Sequence, residues 1–224
     1  MNTNIIEDLS LATSYKAGKR HLSYPYNYQP LESGKAAPVF SVHRQCGVLG
    51  DEFNHSFRNE ALFSLTDFLD YGQPLVIFFS GAATRNLLQA KKLENLHQRI
   101  QQQGGKLLVL TPAAPKIIKR ELSFSSSLTA FHDSDNEIAE SFGLYNEQNP
   151  LWQWVSGIDE EEETLPAFYV LSPDKTVLYR FVDFNFTLYR NNHFSSLHFI
   201  DDMLDAVRQA SGSFHRAELY QLVS

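Results

Sequence analysis

Pro74-Leu75-Val76-Ile77-Phe78-Phe79-Ser80 (74–80) holds five apolar residues in unbroken succession between a proline and a serine. The run is short, β-branched and aromatic, and it does not alternate with polar residues. That is the pattern of a strand covered on both faces. Gly81 follows, and a long helix is predicted over about 84–103, with Leu87, Ala90, Leu93, Leu96 or His97, and Ile100 in phase at steps of three or four. A buried strand that feeds a long helix is the first half of a parallel β-α-β unit.

Working outward, KLLVLTP (106–112) reads as a second buried strand and PKIIKREL (115–122) as a short helix, with Pro115 near its first turn. LTAFHD (128–133) reads as a third strand. SDNEIAESFGL (134–144) reads as a helix capped by Ser134 or Asp135 and closed near Gly143. AFYVLS (167–172) and VLYRFVD (177–183) form a hairpin around Pro173-Asp174-Lys175. A helix over about 194–210 and a further one at FHRAELYQLV complete the chain. Upstream, VFSVHR (39–44) is a short strand, and Leu62, Phe63 and Leu65 lead into a short helix at TDFLDYG. The order predicts an α/β fold: a central mixed β-sheet, mainly parallel, flanked by helices on both faces and closed by antiparallel edge strands.

Before this body, residues 3–18 suggest an amphipathic helix, with Thr3 or Asn4 as cap. SYPYNYQPLESGKAAP (23–38) has three prolines, and Tyr24, Tyr26 and Tyr28 stand at alternate positions. It reads as an extended arm packed on the body. The expected organisation is an N-terminal helix and arm at 1–35, one domain at 36–210, and a helical tail at 211–224.

Composition narrows function by exclusion. The chain has 224 residues, a formal charge of −7 and one cysteine, Cys46. An internal disulfide and a cysteine-rich zinc site are ruled out. No cluster of lysine and arginine offers a phosphate backbone or an anionic lipid surface a partner, so neither nucleic acid nor membrane is expected. The N-terminus carries Glu7 and Asp8 where a signal sequence would be apolar, so a cytoplasmic protein is expected. The acidic run 159–163 reads as a solvated loop, with Trp152 and Trp154 as packing or lid residues beside it. The eight histidines are scattered, and His193 and His198 with Asp201 or Asp202 read as a solvated helix end; no metal and no cofactor are expected. His132-Asp133, at a strand's carboxyl end, would line a small-molecule pocket or cap the next helix.

In open α/β sheets, chemistry gathers where strands end and helices begin. Here that junction is Gly81-Ala82-Ala83-Thr84-Arg85-Asn86-Leu87, whose helix N-terminus would favour a thiolate or another anion.

The same stretch resembles the active-site segment of the alkyl hydroperoxide reductase/thiol-specific antioxidant (AhpC/TSA) peroxiredoxins. Against their pattern Pro-x-x-x-Thr-x-x-Cys, Ser80 stands at the proline, Thr84 at the threonine and Leu87 at the peroxidatic cysteine. Against the subgroup pattern aromatic-Arg-Gly-Gly-Trp-Cys-Pro-x-Cys, Thr84 and Leu87 take the two cysteine places. Other segments resemble the family in order: Ala37-Pro38-Val39-Phe40, then His132-Asp133 through Leu144, then Leu165-Pro166-Ala167-Phe168-Tyr169-Val170-Leu171, then Arg180-Phe181-Val182-Asp183. Arg190 is a shifted counterpart of the family's later arginines. The resemblance spans about 36–210 and implies a thioredoxin-like, peroxiredoxin-type fold. It also implies a cis Leu165–Pro166 bond beside the old pocket, and homodimers.

The departure bears on chemistry. Peroxide reduction needs a nucleophile that attacks an O–O bond, and leucine has none. The expected remnant pocket comprises Ser80, Thr84, Arg85, Asn86, Leu87, Pro166 and Arg190, with no catalytic residue. The favoured expectation is a redoxin-like scaffold that binds an unidentified protein or small molecule. Two rivals stand: a peroxidase that uses the free thiol of Cys46, and an anion site at the start of the 84–103 helix.

Overall fold

The computed structural model describes residues 28–54, 60–69, 72–81, 87–123, 125, 127–153, 164–184 and 197–223. Eight strands and six helices lie within them, joined by short 3₁₀ turns. In chain order the elements are β1 (Ser41–His43), β2 (Gly47–Val48), α1 (Asp51–Asn54), β3 (Leu62–Ser64), α2 (Leu65–Phe68), β4 (Leu75–Phe79), α3 (Leu87–Gln102) and β5 (Lys106–Thr111). Then come α4 (Pro115–Glu121), β6 (Thr129–His132), α5 (Glu137–Ser141), β7 (Ala167–Leu171), β8 (Val177–Val182) and α6 (Leu197–Val223).

Six strands form one mixed sheet in the order β2-β6-β5-β4-β7-β8. β4, β5 and β6 run parallel, while β7 and β8 are antiparallel at one side, as the hairpin predicted. The other edge, β2, is an antiparallel two-residue strand that the sequence pattern does not announce. Strands this short carry too few residues to show a period. For the same reason the sequence pattern presents β3 as the entrance to a helix. It instead pairs with β1 in a separate two-stranded ribbon.

The 74–80 run does what its composition requires. Leu75, Ile77 and Phe79 enter one apolar cluster and Val76 and Phe78 the other, all of them buried. The second cluster is closed by α3, α4 and α6 through Leu93, Leu96, Ile100, Ile118, Phe199, Met203 and Val207. The first is closed by the β1–β3 ribbon, short helices and the arm, with Phe63, Phe68, Phe131, Phe142 and Tyr169 in edge-to-face contacts. Among the described residues, long helices therefore cover one face only. His97 is buried on α3, and desolvation there lowers its pKa from the ordinary value.

Two helix expectations need correction. The 134–144 segment begins as a 3₁₀ turn at Ser134–Asn136, because Asp135 and Asn136 adopt left-handed φ of 54° and 57°. The capping oxygens come from Asp133, one residue before the expected caps. The two C-terminal helices are one. α6 is continuous from Leu197 to Val223, and the Ser211 hydroxyl donates back to the Val207 carbonyl and across to that of Gln103.

The arm packs on the body where it is described. Tyr28 is buried, and its hydroxyl donates to the Asn149 carbonyl at 3.2 Å; burial, with Tyr145 nearby, raises its pKa to about 12. Leu31 N–H reaches the Phe142 carbonyl, Gly34 N–H the Val177 carbonyl and Ala37 N–H the Lys175 carbonyl. Arg180 Nη1 donates to the Pro30 carbonyl at 2.6 Å. The 3–18 helix, Tyr24, Tyr26, Trp154 and the 159–163 run lie outside the described residues.

At Gly143 arm and body leave no room for a side chain. Its φ is +71°, and a Cβ built there would stand 2.0 Å from the Gln29 carbonyl oxygen. Gly143→Ala should therefore cost roughly 2–3 kcal/mol, combining left-handed strain with displacement of the arm. A denaturant midpoint within error of the parent, with no faster proteolysis of the arm, would contradict this.

Candidate functional site

The parallel strands all deliver their carboxyl ends to one edge of the sheet. Phe79 pairs with Leu110 on one side and Ala167 on the other, and Thr111 pairs with His132. One residue further, Ser80 N–H continues the ladder to the Leu110 carbonyl at 2.9 Å, and Asp183 N–H reaches the Pro166 carbonyl at 2.9 Å. The edge therefore reads, strand by strand, His132, Thr111, Ser80, Pro166, Asp183. Phe78, Val109, Ala130 and Phe168 belong to the α3/α4/α6 side. Strand alternation puts Ser80, Thr111, His132 and Pro166, each two residues away, on that same side.

The junction between β4 and α3 is tight. A Cβ on Gly81 would meet the Thr164 carbonyl oxygen at 2.9 Å and Pro166 Cγ at 3.2 Å. Thr164, Leu165 and Pro166 are all buried, and Leu165 N–H bonds the Leu144 carbonyl. The loop before β7 thus lies against the end of β4, which brings Ser80 and Pro166 together. The Leu165–Pro166 bond is trans, as are all peptide bonds among the described residues, in place of the cis bond expected by resemblance. The trans isomer is the lower-energy form of a prolyl bond by about 0.5–1 kcal/mol, and here it leads straight into β7.

Thr84, Arg85, Asn86 and Arg190 lie outside the described residues. Leu87 is the first residue of α3, and its side chain lies outside them too. Further along the same helix, Leu93, Leu96, His97 and Ile100 are buried, as the helical phase predicts.

Cys46 stands elsewhere. It ends a 3₁₀ turn at Arg44–Cys46, partly exposed, just before edge strand β2. Three strand spacings separate β2 from β4, which is roughly 14 Å. Cys46 cannot act at the Ser80–Gly81 junction. Gly47 pairs with Phe131, so Cys46 lies instead close to the end of β6, where His132 stands. Of the metal alternative, His193 lies outside the described residues, as does the side chain of His198. Among the described residues no group of three or more His, Cys, Asp or Glu is arranged to hold a metal. No helix there is long and apolar enough to cross a membrane.

Sequence reading missed Thr111 as a member of this edge and Thr164 as the loop residue packed against Gly81. Thr111 ends a predicted strand, so its place at the carboxyl edge was available; the position of Thr164 depends on a loop and was not. For His132-Asp133 the structure shows the capping alternative, and it falls on Asp133. His132 joins the edge row. Asp133 turns inward, and its two carboxyl oxygens accept the N–H groups of Ile138 (2.9 Å) and Ala139 (2.8 Å) at the start of α5.

Burial is the larger influence on that carboxyl group and outweighs its hydrogen bonds. Its pKa rises from an ordinary 3.8 to about 6. The folded chain then holds this proton more firmly than the unfolded chain between those two values. Stability from this group is complete below pH 4 and is lost as pH rises through 6, on the order of 2–3 kcal/mol in all. Unfolding free energies of the parent and Asp133→Asn, measured across pH 4 to 7, should differ by a term with this slope. Parallel curves would show that the carboxyl titrates normally.

Comparison with known proteins places this geometry. The AhpC/TSA family model matches residues 34–180. A Haemophilus influenzae protein, provisionally described as peroxiredoxin bcp, is 30% identical over 135 residues, covering 58% of this chain and 76% of its own. Among solved structures, peroxidoxin BcpB from Mycobacterium tuberculosis superposes with a TM-score of 0.56 at 15% identity, over 80% of this chain and 97% of that one. Mycobacterium tuberculosis AhpC gives 0.50 at 9% identity, over 76% and 99%. These structures establish a thioredoxin-like α/β fold, and the family match, which covers most of the sheet, makes this chain a member of the AhpC/TSA family.

Proposed function

We propose that this chain is a redoxin-like AhpC/TSA domain without peroxidase activity, one that works by binding a protein or small-molecule partner. The observation that carries the reading is the position of its single sulfhydryl. Cys46 lies roughly 14 Å along the sheet from the junction where the β4 strand meets α3. By resemblance, the peroxidatic and second cysteine places fall at Leu87 and Thr84. A leucine side chain cannot form the sulfur–oxygen bond that peroxide reduction requires, and threonine is a poor substitute without a base beside it. Self-association as a homodimer belongs to this reading by family likeness.

A second reading has one observation in its favour. Cys46 is partly exposed and lies near His132, so a thiolate there would be reachable by peroxide. Attack on the O–O bond would form a Cys46 sulfenic acid and release water or an alcohol.

Purified protein should consume hydrogen peroxide and an organic hydroperoxide at the rate of a no-protein control, with dithiothreitol or a thioredoxin system as reductant. The intact mass should show no added oxygen on Cys46 at low peroxide excess. Turnover that Cys46→Ser removes would replace the first reading with the second. Turnover that survives Cys46→Ser would reject both.

A further inference from the structure

The arm at residues 28–37 makes a complete set of docking contacts of its own. Tyr28 is 2% exposed and donates its hydroxyl to the Asn149 carbonyl. Leu31 N–H bonds the Phe142 carbonyl, and Arg180 Nη1 donates to the carbonyls of Pro30 (2.6 Å) and Leu31 (3.3 Å). Further along, Ala36 pairs antiparallel with Thr176. That bridge is flanked by Ala37 N–H to the Lys175 carbonyl at 2.7 Å and Val177 N–H to the Lys35 carbonyl at 2.9 Å. The body resumes at Phe40, which is buried and whose carbonyl accepts the Leu65 N–H. Pro38 and Val39 alone join these two anchored stretches, and Val39 is 67% exposed.

This hinge is short and stiff. Pro38 fixes its own φ, and Ala37, as the residue before a proline, is confined to extended backbone. A short hinge with little freedom favours exchange of a terminal segment between copies. In the exchanged pair the hinge extends and every docking contact is remade on the other body.

We propose that two copies of this chain exchange arms, so that residues 28–37 of each occupy the slot on the other that is lined by Phe142, Asn149, Val177 and Arg180. This rests on the self-association included in the preceding reading and gives it a contact. The slot selects its occupant. It takes a buried tyrosine at one end, two carbonyls under Arg180 in the middle and a β-bridge at the other end. The first apolar cluster of each body is then completed by the partner's Tyr28. The exchange is reciprocal, so the assembly closes at two copies.

The test uses full-length protein carrying Cys46→Ser. Ala36→Cys is introduced in one preparation and Thr176→Cys in a second. Their flanking residues make the hydrogen bonds, so the two Cα atoms stand about 4.5 Å apart, within the range a disulfide spans. The two variants are mixed in equal amounts, refolded together from urea and oxidised. The control pairs Ala36→Cys with Asp205→Cys, on α6, which closes the other face of the sheet. The covalent heterodimer, identified by its mass, should exceed the control about tenfold, because a docked arm holds its thiol at a high effective concentration. Light scattering of the parent should give the mass of two chains. A dimer whose 36–176 link does not exceed the control would overturn the exchange and leave self-association standing. Monomer alone would overturn both. Four residues, Gly-Ser-Gly-Ser, inserted between Pro38 and Val39 should weaken the dimer about tenfold by relaxing the hinge. An unchanged dimer would also overturn the proposal, and this measurement decides alone where a cysteine variant does not fold. Peroxide is absent throughout, so the question of peroxidase activity is judged separately.

Discussion

Everything in this structure depends on β4 having no polar face. A strand that is apolar on both sides and hydrogen-bonded along both edges needs a layer above and a layer below it. Its neighbours β5 and β7 satisfy its backbone, and two separate clusters bury its alternate side chains. The chain meets the requirement unequally. Three long or well-packed helices supply one layer. A ribbon, short helices, a dense set of phenylalanines and the arm supply the other.

That asymmetry explains which parts of the fold were legible. β4, β5, β7 and the helices α3 and α4 announce themselves because each is long enough to show a period or a continuous apolar run. β2 and β3 have two and three residues, and only their partners define them. The cap of α5 differs from the one the sequence suggests for a related reason. Ser134 and Asp135 are good caps in isolation, but the left-handed turn at Asp135 and Asn136 moves the helix start and leaves Asp133 as the acceptor. Nor does the linear chain reveal a break at Ser211 or its absence. In the structure the Ser211 hydroxyl is bonded to the neighbouring helix's end and to its own preceding turn, and the helix runs on.

The candidate site divides in the same way. The junction at Ser80–Gly81 and its opposition to Pro166 follow from strand order and register, so sequence could point to them. The row from His132 to Ser80 could not be read in advance, since it requires knowing that three strand ends lie in register on one side. Cys46 shows the converse. It is the most reactive residue type in the chain, yet topology puts it on an edge strand far from the junction that sequence likeness singles out. Register, rather than residue chemistry, decides which side chains can cooperate.

The arm carries a temporal consequence. Arg180 grips the carbonyl of Pro30 across 150 positions of chain, and Gly34 and Ala37 bond the turn and strand just before it. Contacts of such long span form late, because the intervening loop must first be closed. At ribosomal speeds of about 5–20 residues per second, residues 28–37 would emerge roughly 6–30 seconds before their partners exist. Through that interval the apolar face that Tyr28 and Leu31 complete has no cover, so the first part of the domain to be synthesised is among the last to find its place.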